Sequence, residues 1–197
     1  VDLLAFLPIS AIGGKRGTTL NDVWGWTDAE RGREYMLVGR SDGTSFLDVT
    51  DPSTPRYVGD LPLHAGARAN MWRGIRVYKN HAFIVADGAG PHGMQVFDLT
   101  QLRGVTGAPV TFSETAHYDR LASAHTLALD EESGFAFAAG ANGGGESQPF
   151  EVFINVGKAG SDVAADAEGL GRLISLILRM PSPLTPEERV QDIVSQL

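Results

Sequence analysis

Cysteine is absent from this chain of 197 residues. Its absence excludes disulfides, thiolate metal sites and every cysteine-based mechanism. No run of about 20 apolar residues occurs, so no stretch reads as a membrane-spanning helix. Positive charge is scarce: 16 Lys and Arg stand against 24 Asp and Glu, for a net charge of -8. The basic residues form no cluster. A protein that grips nucleic acid by neutralising phosphates needs the opposite balance, so nucleic acid is not expected as a partner. The chain also lacks the GxSxG elbow of a serine hydrolase and the HExxH helix of a zinc protease. The adjacent carboxylates Glu131-Glu132 and Glu187-Glu188 read as solvated groups in a turn and a first helical turn. An apolar fraction of 43% and a charged fraction of 20% are ordinary for a globular protein.

What is present is a repeat. Residues 34–59, EYMLVGRSDGTSFLDVTDPSTPRYVG, read strand, polar turn, strand, turn, strand. Short runs rich in β-branched and aromatic residues, bounded by Gly, Pro and Asp, are strand signals. The same pattern returns downstream. Gly74–Tyr78 answers the strand around Val23–Thr27, His81–Val85 answers Tyr35–Val38, and Met94–Leu99 answers Ser45–Val49. A third round opens at His125–Asp130 and continues through Gly134–Ala139. A period of about 50 residues suits propeller blades of four strands. Such a sheet cannot bury both faces alone, so blades stack. Two full units and the opening of a third are fewer than a closed propeller needs. Either other chains complete the ring or this is a piece of a longer protein, and the piece is the favoured reading.

The strings NDVWGWTD, EYMLVGRSDGTSFLDVTDPSTPRYVGDLP, AFIVADGAGPHGMQVFDLTQLR and ETAHYDRLASAH occur in that order. Over about residues 1–146 the chain thereby resembles the choice-of-anchor B proteins and their LVIVD repeats. The resemblance implies a β-propeller-like domain on secreted or surface-anchored bacterial proteins without an established catalytic activity. A partial propeller of this kind is expected to present its loops to a protein or glycan partner. Open blade edges add the expectation of self-association.

After Gly143-Gly144-Gly145-Glu146, a Gly-rich linker, the periodicity changes. Residues 149–156 read as one strand, 157–161 as a tight turn and 162–179 as a helix. Val163, Ala167, Leu170, Ile174 and Ile177 recur at three- and four-residue steps and share one face. Thr185-Pro186-Glu187-Glu188 opens a second helix, with Thr185 as cap and Glu188 closing a capping box. The string QPFEVFINVGKAGSDVAADAEGLGRLISLILR resembles the TSCPD domain at the end of adenosylcobalamin-dependent ribonucleotide reductases, over about residues 148–197. The resemblance implies that the family's leading strands are missing and that Asp162 stands where relatives often carry Cys. It implies a parent enzyme, a ribonucleoside-diphosphate reductase, whose catalytic barrel and adenosylcobalamin site lie outside this segment, so no cofactor is expected on this chain. One resemblance implies an extracellular location and the other a cytoplasmic one. They meet at the Gly-rich linker, as a natural fusion or as a join of two coding sequences. The expected fold is mainly β with a C-terminal α+β tail: a partial propeller over 1–146, then a strand-helix-helix segment over 147–197.

Candidate sites are few. Gly157, Lys158, Gly160 and Ser161 precede a helix and offer free backbone N–H groups to an anion, although a capped strand-to-helix turn is the plainer reading. His117, Asp119 and His125, with Asp87 and His92 from the previous unit, are the best metal-like set, because imidazole plus carboxylate suits zinc or another first-row metal. Histidine and aspartate between strands also fix turns by hydrogen bonding. Ser41-Asp42-Gly43 and Asp48 with Asp51 suggest calcium only weakly. Trp24, Trp26 and Trp72 either line a binding face or fill gaps between blades. Three function classes remain open: a non-catalytic binding or scaffold protein, which accounts for most of the chain, a part of a reductase that meets reductase subunits, and a metal-dependent hydrolase.

Overall fold

The computed structural model describes residues 2–132, 134–140, 142–143 and 184–196. The strand, turn and first helix expected over 149–179 lie outside them. The chain divides into two compact units, Val1–Gly144 and Gly145–Leu197. It is mainly β, as the runs of alternating residues require.

In the first unit, β1 (Leu20–Asp28), β2 (Arg33–Arg40), β3 (Gly43–Asp48) and β4 (Arg56–Pro62) form an antiparallel meander. A second meander contains β5 (Arg73–Tyr78), β6 (His81–Ala86) and β7 (Met94–Asp98). Between β7 and the last strand of that sheet come a 3-10 helix, Leu99–Gly104, and β8 (Val110–Thr111). β9 (Ala116–Tyr118) then completes the second sheet against β7. β8 does not join it. It runs back to the first sheet and pairs parallel with β4, covering an edge that would otherwise offer unpaired backbone groups. Gly59 makes this possible: it sits at φ +156, and a Cβ there would overlap the Val110 carbonyl. β11 (Thr126–Asp130) and β12 (Phe135–Ala139) form a hairpin, and β10 (Leu121–Ser123) pairs with β13 (Asn142–Gly143). Every sheet among the described residues is open.

The repeat read in the sequence has a physical counterpart in its turns. Asp48 Oδ1 accepts from Thr50 N and Oγ1 at 3.1 and 2.6 Å. Asp98 Oδ1 accepts from Thr100 N and Oγ1 at 2.9 and 2.8 Å. Each closes the end of its strand with its own Asp-x-Thr, as short polar side chains do in turns.

The two sheets share one core. Buried Trp26, Tyr35, Leu37, Phe46, Val58 and Leu61 of the first meet buried Ile75, Ala82, Ile84 and Phe97 of the second. Phe46 stacks on Phe97 with ring centroids 4.8 Å apart, and Phe112 meets Phe46 edge-on at 5.8 Å. A smaller cluster joins the hairpin to the second sheet: Leu127, Val85 and Ala124 are buried together, with Phe83, Met94, Leu121 and Ala138 against them. Strands from different sheets are also tied by side chains. Asp22 takes a left-handed conformation, φ 62, in the β1 bulge. Its Oδ2 accepts from Ile75 N at 2.8 Å, and Asn21 Oδ1 accepts from Arg73 N at 3.0 Å. Far from these, Arg103 donates to both oxygens of buried Asp28 at 2.8 and 2.7 Å. That guanidinium holds the Asp28 carboxyl below the usual carboxylate range.

In the second unit the helix α1 spans Pro186–Gln196. Its capping box forms as the sequence predicts: Glu188 N donates to Thr185 Oγ1 at 3.2 Å and Thr185 N donates to Glu188 Oε2 at 2.8 Å. No described helix is long and apolar enough to cross a membrane.

Candidate functional site

Polar groups gather where loops of the first unit converge at the ends of both sheets. Arg40 ends β2 and is buried. It donates to Asp42 at 2.8 Å and to Asp60 at 2.9 Å, and to the Ile12 carbonyl and Ser45 Oγ at 2.9 and 3.0 Å. Burial opposes its charge, but the two carboxylates outweigh burial and keep its pKa above the ordinary value. Arg73, at the start of β5, is buried beside it and donates from Nε to the Arg40 carbonyl at 2.7 Å. Burial, reinforced by the like charge of Arg40 and partly offset by Asp42, lowers its pKa to about 10.

Arg73 Nη1 reaches His92 Nε2 at 2.8 Å. A guanidinium only donates, so Nε2 accepts and the ring proton sits on Nδ1, facing the Gly93 carbonyl at 3.1 Å. His92 is fully buried. Burial first, then the Arg73 charge, lowers its pKa to about 4. The backbone carbonyl of His92 in turn accepts from His117 Nε2 at 2.9 Å. Gly93, at φ +61, leaves room for this approach: a Cβ there would meet His117 Nε2 at 2.5 Å.

Above this buried layer lies a second, half-exposed one. His64, in the loop after β4, meets Glu114 Oε1 through Nδ1 at 2.6 Å. Its ring lies parallel to that of His117, centroids 3.6 Å apart. Glu114 Oε2 is buried and has no hydrogen-bond partner. His64, Glu114 and His117 each place a ligand atom within 4.8 Å of the others.

The structure therefore distributes the sequence candidates among separate pairs. His117 contributes a donor to the three-residue cluster, with two partners, His64 and Glu114, that the sequence reading leaves out. His92 lies beneath it, its ring nitrogens engaged by Arg73 and Gly93. His125 is 58% exposed and pairs with Asp87 at 3.1 Å, apart from His117. Asp119 is exposed in the turn after β9. Gly157, Lys158, Gly160 and Ser161 lie outside the described residues. The weak calcium pattern has its oxygens engaged: Asp42 by Arg40 and Thr18, Asp48 by Thr50 and Arg33, and Asp51 by Ser53 and Thr54. The tryptophans divide. Trp26 is buried and stacks on Tyr35 at 5.1 Å, whereas Trp24 and Trp72 are 39% and 45% exposed. Glu114 lies three residues before His117 on the same segment, the one local signal for it, whereas His64 is 50 residues from Glu114 and no local spacing points to it.

Residues 126–197 match the family model of the TSCPD domain. The match opens at Thr126, ahead of Gln148 where the resemblance in the sequence begins. It takes in the hairpin β11–β12, so strands precede Gln148 within the matched range and the expectation of missing leading strands needs that correction. The matched range and the compact units do not coincide: Leu127 of β11 is buried in the first unit, against Val85. No curated protein and no solved structure matches the chain, and these comparisons lend no support to the LVIVD-repeat resemblance of residues 1–146.

The buried histidine makes stability depend on pH. The pKa of His92 is about 4 when folded and about 6.5 for a free histidine. The unfolded chain binds the proton first, so stability is complete above about pH 6.5 and falls as pH drops towards 4, by up to about 1.4 kcal/mol per pH unit. Urea midpoints measured across that range should fall, and His92→Gln should flatten the dependence.

Proposed function

We propose that this chain is a non-catalytic binding or scaffold protein: an open stack of blade-like sheets, an incomplete β-propeller, that presents loops to a protein or glycan and carries a C-terminal TSCPD segment. The observation that supports it is the pair of meanders whose third strands end in the same Asp-x-Thr turn and which share one aromatic core, with a third hairpin packed on the second. Half-exposed Trp24 on β1 and Trp72 in the loop before β5 offer the amphipathic contacts that recognition surfaces use. Trp24 already holds Arg76 over its ring at 4.4 Å.

A second reading rests on the family match over residues 126–197. The chain then serves as an accessory part of an adenosylcobalamin-dependent ribonucleoside-diphosphate reductase and docks on reductase subunits. It brings no cofactor of its own, because the adenosylcobalamin site belongs to the barrel of the parent enzymes.

Immobilised full-length chain, probed with a glycan array and with purified reductase subunits, separates the two. Retention of a glycan that Trp72→Ala weakens supports the scaffold. Retention of reductase subunits indifferent to Trp72→Ala supports the accessory part. Turnover of a ribonucleoside diphosphate by the isolated chain overturns the non-catalytic reading.

A further inference from the structure

We propose that His64, Glu114 and His117 form a binding site for a first-row divalent cation, zinc foremost, that clamps the loop after β4 to the strand β9. Two imidazoles and one carboxylate are a donor set that suits zinc and leaves a coordination position for water or an outside ligand. The residues come from two segments far apart in the chain, the loop after β4 (His64) and the run into β9 (Glu114 and His117), and bring their donors within 4.8 Å of one another.

The surroundings are those of a supported site. His117 donates from Nε2 to a buried backbone carbonyl, that of His92. This is the outer-shell contact that fixes the tautomer of a metal-bound histidine and leaves Nδ1 as the lone-pair donor. His92 is itself anchored by Arg73 and the Gly93 carbonyl, so the carbonyl cannot drift. Glu114 keeps one oxygen buried and without a partner. A carboxylate oxygen withdrawn from water costs stability unless a cation or donor meets it, and an ion between Glu114 and the two rings supplies that contact.

The ring geometry says how the ion enters. An imidazole lone pair lies in the plane of its ring, and these rings are parallel, 1° between planes. Both cannot aim at one ion until one turns. His117 is tied to the His92 carbonyl. The side chain of His64 makes a single hydrogen bond, to Glu114, and is the one free to turn. Uptake therefore exchanges the His64–Glu114 hydrogen bond for two bonds to the metal, and the stacked pair opens. The metal-free arrangement is a latch closed by that one hydrogen bond.

The test uses the full chain, stripped with a chelator and titrated with cobalt(II) chloride, then with zinc chloride in competition. One equivalent of cobalt should bind with visible absorption of a low-coordinate site, and zinc should displace it. In the zinc form, the ring protons of His64 and His117 should lose the upfield shift that stacking imposes. Glu114→Gln and His117→Gln should each weaken binding at least about tenfold, the loss that outer-shell changes alone produce. His64→Ala decides the matter if His117→Gln fails to fold, because the His64 side chain is partly exposed and makes one hydrogen bond. His125→Ala, outside the cluster, should bind as the parent chain does. Substoichiometric uptake by the parent chain overturns the site. So does stoichiometric uptake that His64→Ala and Glu114→Gln leave unchanged, or that His125→Ala removes.

Discussion

Phe46→Ala should lower the unfolding free energy by about 3–5 kcal/mol, the range for deleting a buried aromatic ring. Phe46 is fully buried on β3. Its ring stacks on Phe97 of β7 and receives the edge of Phe112, which precedes β9. The three rings belong to both sheets, so the cavity opens at the contact between them and neither sheet can fill it alone. Beyond the lost transfer energy, the aromatic contacts contribute about 0.5–1.5 kcal/mol per pair. Equilibrium denaturation in urea, followed by tryptophan fluorescence and by far-ultraviolet dichroism, measures the change. Coincident transitions shifted to lower urea are expected. A loss below about 1 kcal/mol would mean that the sheets do not share this core.

Leu127→Ala should cost about 2–5 kcal/mol, the span for a buried leucine, but locally. Leu127 is buried with Val85 and Ala124 in a cluster separate from the three rings. Hydrogen exchange should show faster exchange of the β11 and β12 amides, with the β2 and β3 amides protected as before. The outcome bears on the overlap between the TSCPD match and the first compact unit. Protection lost in the hairpin together with β6 places the hairpin in the first unit's cooperative structure. A hairpin whose protection is unaffected by the substitution would mean that Leu127 does not hold it to the second sheet.

Most of the fold is legible in the sequence because its strands are long enough to alternate. In β2, Tyr35, Leu37 and Gly39 are buried while Glu34, Met36 and Val38 are less so, which is the two-residue period of a strand. β1 to β7, β11 and β12 all fall on runs that Gly, Pro or Asp punctuates. The elements that escape are the brief ones. β8 and β13 have two residues each, and β9 and β10 three, too few for a period. The return of β8 to the first sheet is invisible for another reason: it depends on Gly59 leaving space for Val110, a contact across 51 residues.

The candidate site is only partly legible for the same physical cause. His117 stands out by type. Its partner His64 does not, because loops separated by the whole second meander meet only once the sheets stack. Local spacing joins His117 to Asp119 and His125, yet side chains two residues apart on a strand share a face only while the strand lasts, and β9 stops at Tyr118. His92 looks in the sequence like a ligand. Packing has instead committed its ring to Arg73.

The Asp-x-Thr turn at the end of β3 and β7 borrows nothing from neighbouring sheets: donor and acceptor sit two residues apart on the same segment. A gene segment encoding one such meander can be copied in tandem, and each copy carries with it the corner after its third strand. Lengthening the array by duplication then requires change only on the faces where successive copies touch.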